Sequence, residues 1–285
     1  MLTPGIWPIL DHDDDPADVI SPLMAGQTGA QLPARAVLAI LGDGVARHAA
    51  AEQLPQTGAQ LPARAVLAIL GDGVARHAAA EQLPQIGAVD LVTASYPIHL
   101  AERDGHQVAI VEAPIGAPAA VMVAEYLAAR GVRIAVAVGS CGALRDFSEG
   151  TFLVPTRALR DEGTSYHYAP PGMWVQTDPD VRAACAAAVA GRGHKVLEVP
   201  VWTTDGFYRE TPAVIDRRIG QGCAAVEMEC AAWSAWARFR GVRFGQILFT
   251  ADSLAGGGYD PRDFGVDSHE VALRMAIDAA SSVAG

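Results

Sequence analysis

Two glutamates flank a single methionine, Glu227 and Glu229 around Met228, in a stretch ("AAVEMECAAW") otherwise fit for a hydrophobic core. If "AAVEM" finishes a strand, the period of two puts both carboxyls on one side. Glu229 then opens the helix "CAAWSAWARF", whose N-terminal dipole favours a carboxylate. Two carboxylate oxygens match the two hydroxyls of a vicinal diol, as in a ribose. A negative charge beneath such a sugar also stabilises an oxocarbenium-like transition state as a glycosidic bond breaks. The plainer alternative is a pair of helix-capping carboxylates.

Other segments offer complementary chemistry. In "FTADSLAGGGYD", Asp252 ends a strand before a glycine-rich loop; a carboxyl there could protonate a leaving base if burial raised its pKa, or simply cap the turn. In "VGSCGAL", Gly139 and the glycine after Cys141 let the backbone approach a ligand, and Ser140 adds a hydroxyl; consecutive N–H groups in such a turn can hold an anion. "LGDGVARH" repeats the plan of strand, glycine turn and helix start, with Gly71 at the turn and Arg76 as a candidate phosphate partner. "TTDGFYRET" sets the ring of Phe207 beside polar Thr204 and Asp205, a surface on which a planar heterocycle could stack. The four cysteines are scattered without metal-ligand spacing and read as buried free thiols in a reducing compartment.

The elements that must position these groups follow from periodicity. Continuous apolar strands ("AVLAIL", "HQVAIVEAPIG", "IAVAVGS", "TFLVPTRAL", "VRFGQILFTAD") alternate with helical stretches such as "DPDVRAACAAAVAGRG" and a last helix from about 268 to 282. Pro155 suggests a bulge or an edge in its strand. The pattern predicts an α/β fold: a three-layer α/β/α sandwich around a central mixed, mostly parallel sheet, with the motifs at the carboxyl ends of strands. At 285 residues with 51% hydrophobic and 6% aromatic side chains, the chain has ample material for such a core. A formal charge of −11 argues against a nucleic-acid or membrane-surface binder, while a small anion could still be received by local arginines or amides. The N-terminus lacks a signal-peptide pattern and no apolar run is long enough to span a bilayer, so a soluble cytoplasmic protein is expected.

One segment, "TGAQLPARAVLAILGDGVARHAAAEQLPQ", occurs twice in tandem without a mismatch, at 28–56 and 57–85. Solenoid repeats diverge and need more units, so the pair reads as a recent duplication or an assembly error in the sequence. The second copy leads directly into the following strands and is assigned the place in the sheet. The expected organisation is an N-terminal extension (1–27), an inserted first copy (28–56) and one domain (57–285).

Together, "VGSCGAL", "VEMECAA" and the Thr-Thr-Asp-x-Phe-Tyr segment resemble the nucleoside phosphorylase superfamily, which includes uridine phosphorylase, hexameric purine nucleoside phosphorylase and the methylthioadenosine nucleosidases; the likeness covers roughly 62–283. The resemblance implies phosphorolysis of a ribonucleoside, uridine or a purine nucleoside, to free base and ribose 1-phosphate. Glu229 would bind the ribose hydroxyls, Met228 would pack on the sugar, and Glu227 would line the same pocket. Phe207, with Thr204 and Asp205, would border the base, and Asp252 would protonate a purine at N7. Gly71, Arg76, Gly139 and Ser140 would receive phosphate. No metal or organic cofactor is implied, only inorganic phosphate as co-substrate. The expected assembly is a dimer-based homo-oligomer, a hexamer among the options, with His12 and His167 as candidate donors to a neighbour's site. The chain departs from the family at Ala137, where an arginine is usual, and at Gly73, where the turn usually has proline. "RDEGTSYHYAP" leans toward the uridine branch and Asp252 toward the purine branch. A nucleosidase using water, or a non-catalytic nucleoside-binding protein on the same fold, are the alternatives.

Overall fold

The computed structural model describes residues 60–284. The sequence-based extension (1–27) and first repeat copy (28–56) lie outside the described residues. In chain order the elements are Arg64–Ile69 (β1), Gly73–Ala80 (α1), Gln85–Asp90 (β2), Ser95–Arg103 (β3), His106–Glu112 (β4), Ala117–Ala129 (α2), Ile134–Ala143 (β5) and Phe152–Asp161 (β6). They continue with Trp174–Gln176 (β7), Pro179–Gly191 (α3), Leu197–Thr204 (β8), Pro212–Gly220 (α4), Ala225–Glu227 (β9), Cys230–Arg240 (α5), Arg243–Ser253 (β10) and His269–Ser282 (α6).

The apolar strands alternate in which core they feed. Ala65 and Leu67 of β1, Ala109 and Val111 of β4, and Ala135 and Ala137 of β5 join the core beneath α2 and α5. Their neighbours Val66, Ala68, Val108, Ile110, Val136 and Val138 join the core beneath α3 and α6. A strand buried on both faces must be apolar at every position, which is why these segments show no polar alternation. Helices therefore pack against both faces of these strands.

The sheet itself departs from an open sandwich. Its order is β10-β6-β8-β9-β5-β1-β4-β3-β2, and β10 pairs with β5 as well as β6. Strands β5, β10, β6, β8 and β9 thus close a ring, and β1 to β4 extend from it. Nor is the sheet mostly parallel: of the ten pairings among the described residues, five are parallel and five antiparallel. Two irregularities accompany the closure: the register shifts between Thr250 and Asp252 where β10 pairs with β5, and between Pro155 and Arg157 where β6 pairs with β8. Such bulges bend a strand and increase its twist, and the second lies at the proline that suggested one.

Close packing fixes the helices to this frame. Asp178 caps α3 through the amides of Asp180 and Val181, both at 3.0 Å, with Pro179 pre-set at the first turn. Beneath that turn lies Gly245 of β10, where a Cβ would meet Val181 Cγ1 at 2.8 Å and the Val181 carbonyl carbon at 3.2 Å. Gly245→Ala should therefore cost ~1–3 kcal/mol of stability, read as a lower urea midpoint; an unchanged midpoint would mean that α3 can retreat freely.

Candidate active site

A cavity of about 240 Å³ is built where β5, β9 and β10 meet the start of α5. It brings together Glu227, Met228, Glu229, Phe207, Asp252, Gly139 and Ser140, residues drawn from four separate stretches of the sequence.

The two glutamates occupy different positions. Glu227 is the last residue of β9, and Glu229 is the N-cap of α5. The Glu227 carboxylate caps the helix: Oε2 accepts the amides of Glu229 at 2.8 Å and Cys230 at 2.7 Å, while Oε1 accepts the Thr203 hydroxyl. Thr203 in turn accepts the Ala231 amide at 3.0 Å. Because Glu227 satisfies these helix donors, Glu229 is released from capping. The Glu229 side chain makes no cap bond and instead reaches across to α2, where Oε1 accepts the Gly116 amide at 2.6 Å.

Burial dominates the electrostatics. It pushes the Glu229 carboxyl up to about 8, with the Glu227 charge adding to the effect and the Gly116 amide opposing it. Glu227 is pushed to about 7 by burial, against the Thr203 hydroxyl and the two helix amides. Burial also raises Asp252, opposed by its own backbone amide, by Arg262 and by a hydrogen bond with Tyr259. These are conditions under which one carboxyl can hold a proton for donation while another accepts hydrogen bonds.

The remaining sequence-based candidates lie apart from this cavity. Thr204 is buried and its hydroxyl accepts the Gly206 amide at 3.1 Å, a turn role. Asp205 accepts the Gly163 amide at 2.8 Å and lines a second cavity with His167. Gly71, at φ +64°, forms the β1–α1 turn, but Glu112 is drawn to that turn's backbone: its Oε1 accepts the Leu70 amide at 2.6 Å, and the Gly71 and Val74 amides bond to it as well. Arg76 points to solvent, with its side chain 57% exposed and paired to Asp72 at 3.2 Å. Neither Gly71 nor Arg76 lines the cavity.

Two polar residues line the cavity that the sequence had not singled out, Glu210 and Gln246. Glu210 had a local signal. Phe207–Arg209 forms a 3-10 turn with Glu210 as its C-cap, and residues three apart in such a turn eclipse one another, so Phe207 and Glu210 belong on one side. Gln246 sits inside the apolar run "FGQILF" with no pattern to flag it. Among the described residues, no group of three or more His, Cys, Asp or Glu side chains is arranged to hold a metal, and no helix is long and apolar enough to cross a membrane.

The chain belongs to the phosphorylase superfamily, whose family model matches residues 64–284. It is 31% identical over 196 residues to guanosine phosphorylase of Halorubrum lacusprofundi, covering 66% of this chain and 81% of that protein. It is 29% identical over 184 residues to uridine phosphorylase of Treponema pallidum, covering 60% and 71%. Among solved structures, it resembles AMP nucleosidase of Bacteroides thetaiotaomicron with a TM-score of 0.64 at 21% identity, over 78% of this chain and 88% of that one. It also resembles purine nucleoside phosphorylase of Toxoplasma gondii with a TM-score of 0.66 at 19% identity, over 78% and 91%. These structural likenesses bear on the fold.

Proposed function

We propose that this chain cleaves the N-glycosidic bond of a ribonucleoside by phosphorolysis, releasing the free base and ribose 1-phosphate. The observation that carries the reading is Glu229, 5% exposed, freed from helix capping by Glu227 and held in the cavity wall. Its carboxylate accepts the ribose 2′- and 3′-hydroxyls, Met228 packs on the sugar, and the base lies against Phe207. As the C1′–N bond breaks, its electron pair leaves with the base, and a purine takes the Asp252 proton at N7. A phosphate oxygen forms the new bond at C1′ from the opposite face, near Ser140 and Gly139. Positive charge building at C1′ favours the ionised form of the buried Glu229 carboxyl, and that carboxylate stabilises the oxocarbenium-like transition state more than the neutral ground state. Relatives named guanosine and uridine phosphorylase support a base that is either a purine or uracil. The scheme needs no metal or organic cofactor, and we place the protein in the cytoplasm as a dimer-based homo-oligomer.

Hydrolysis is the second reading, and a specific observation favours it. Among the described residues, none lining the cavity is Arg, Lys or His, whereas Glu210, Glu227, Glu229 and Asp252 all line it. A phosphate dianion entering there needs a cation from elsewhere, such as a second copy of the chain; water does not. The two are separated by following base release from a nucleoside panel with and without phosphate. Phosphorolysis predicts release that requires phosphate and yields ribose 1-phosphate. Equal release without phosphate, with free ribose as product, overturns it.

A further inference from the structure

Gln246 is the one uncharged amide side chain in the cavity wall, and its Oε1 is buried without a hydrogen-bond partner. The residue is 2% exposed. It stands on β10 between Phe244 and Leu248, both of which belong to the core beneath α2 and α5. Alternate residues of a strand share a face, so a single amide interrupts an apolar row. Gln246 pairs with Ala137 of β5, and Leu248 pairs with Gly139. The amide therefore starts one same-face step below Gly139, beside a neighbour that carries only a methyl group. That leaves it room to extend toward Gly139 and Ser140, where the scheme above places phosphate. A buried polar atom without a partner is costly, and in a ligand cavity it is accounted for when the ligand supplies that partner.

Resting on the phosphorolysis reading, we propose that Gln246 binds the attacking phosphate and selects an oxyanion that still carries an O–H, so that hydrogen phosphate is accepted and fully ionised sulfate is refused. A carboxamide is neutral and offers an acceptor on Oε1 and two donors on Nε2. The unpartnered atom is the acceptor, so what it lacks is a donor. Hydrogen phosphate supplies one through its P–O–H, and another of its oxygens accepts from Nε2. Sulfate near neutral pH has no O–H and sets a lone pair against Oε1. The surroundings leave this task to hydrogen bonding. Among the described residues, four carboxyls and no Arg, Lys or His line the cavity, so its charge favours no anion over another. The β1–α1 turn, which has the composition of an anion site, is taken by Glu112 through the Leu70 amide. Gln246 neither takes nor gives a proton: a phosphate oxygen bonds C1′, the C1′–N electron pair leaves with the base, and the P–O–H stays on the ribose 1-phosphate formed.

The test is an anion selectivity. Initial rates of base release from the best-cleaved ribonucleoside are measured against phosphate, with sulfate as competitor, for the wild type, Gln246→Met and Gln246→Asn. Methionine matches glutamine in length and has no amide. The expected result is a KM for phosphate about 10- to 100-fold higher in Gln246→Met than in wild type, with the KM for the nucleoside nearly unchanged. The ratio of the sulfate Ki to the phosphate KM should fall by a similar factor. A merely structural role would move both KM values together and leave the sulfate ratio in place, which overturns the inference. Sulfate that inhibits the wild type at the concentrations where phosphate saturates it overturns it too. Should Gln246→Met not fold, Gln246→Asn decides, because it keeps an amide but draws it back by one methylene and should shift both readouts the same way. Phosphate-dependent release with an unchanged phosphate KM in the variants refutes the role of Gln246 and leaves phosphorolysis intact. Release by the wild type that needs no phosphate refutes phosphorolysis and this inference with it.

Discussion

Glu229→Ala should lower kcat/KM for a ribonucleoside by about 10²–10³-fold, the scale set by losing one preorganised electrostatic contact to a transition state, and should leave the fold in place. The structure separates these two consequences. The α5 amides of Glu229 and Cys230 are satisfied by Glu227, so truncating the Glu229 side chain leaves the cap untouched; the Gly116 and Met228 amides lose a partner. The opposite holds for Glu227→Ala, which strips acceptors from two helix amides and from the Thr203 hydroxyl at once. Pairing urea midpoints with kinetics for Glu229→Ala checks the division. A folded variant with wild-type turnover would remove Glu229 from the mechanism, and an unfolded one would show that its part is structural.

Asp252→Asn should reduce turnover of purine nucleosides by about 10²–10⁴-fold, the usual range for loss of a positioned general acid, and should hurt uridine less. Uracil has no N7 to protonate, so its departure leans less on this proton. Burial is the first cause of the raised Asp252 pKa, and the sign follows: the carboxyl keeps its proton to higher pH than an exposed aspartic acid and loses it as pH rises through the raised value. Purine cleavage by the wild type should therefore decline on the alkaline side, and asparagine should abolish that limb. Equal losses for purine and pyrimidine substrates would contradict the assignment of Asp252 as the N7 acid.

Much of this arrangement was legible because it depends on local patterns. The strand-to-helix junction at 227–229 follows from a polar pair between an apolar run and a helix, and Glu229 does open α5. Strands β1, β4 and β5 follow from unbroken apolar runs buried on both faces. The closed ring was not legible, because it depends on a register shift between Thr250 and Asp252 and on β9, a strand of three residues. Strand β2 carries no comparable signal: its sequence "QIGAVD" is short, contains a glycine and is only partly buried. Within the site, the Gly116 amide that holds Glu229 is a backbone donor and has no residue-type signature. The β1–α1 turn had the composition of an anion site, yet its amides answer to Glu112, 42 residues away from Leu70 in sequence, a contact that only the pairing of β1 with β4 creates.

The central claim is that Glu229 holds the sugar hydroxyls while the glycosidic bond breaks. The most direct test compares kcat/KM for the best-cleaved ribonucleoside and its 2′,3′-dideoxy analogue in wild type and in Glu229→Ala, so that the intrinsic lability of the deoxygenated sugar divides out. Because the two changes would remove the same contact, their effects should not multiply: loss of the hydroxyls should penalise the wild type by at least about tenfold more than the variant. Equal penalties in the two proteins would mean that Glu229 does not touch the diol.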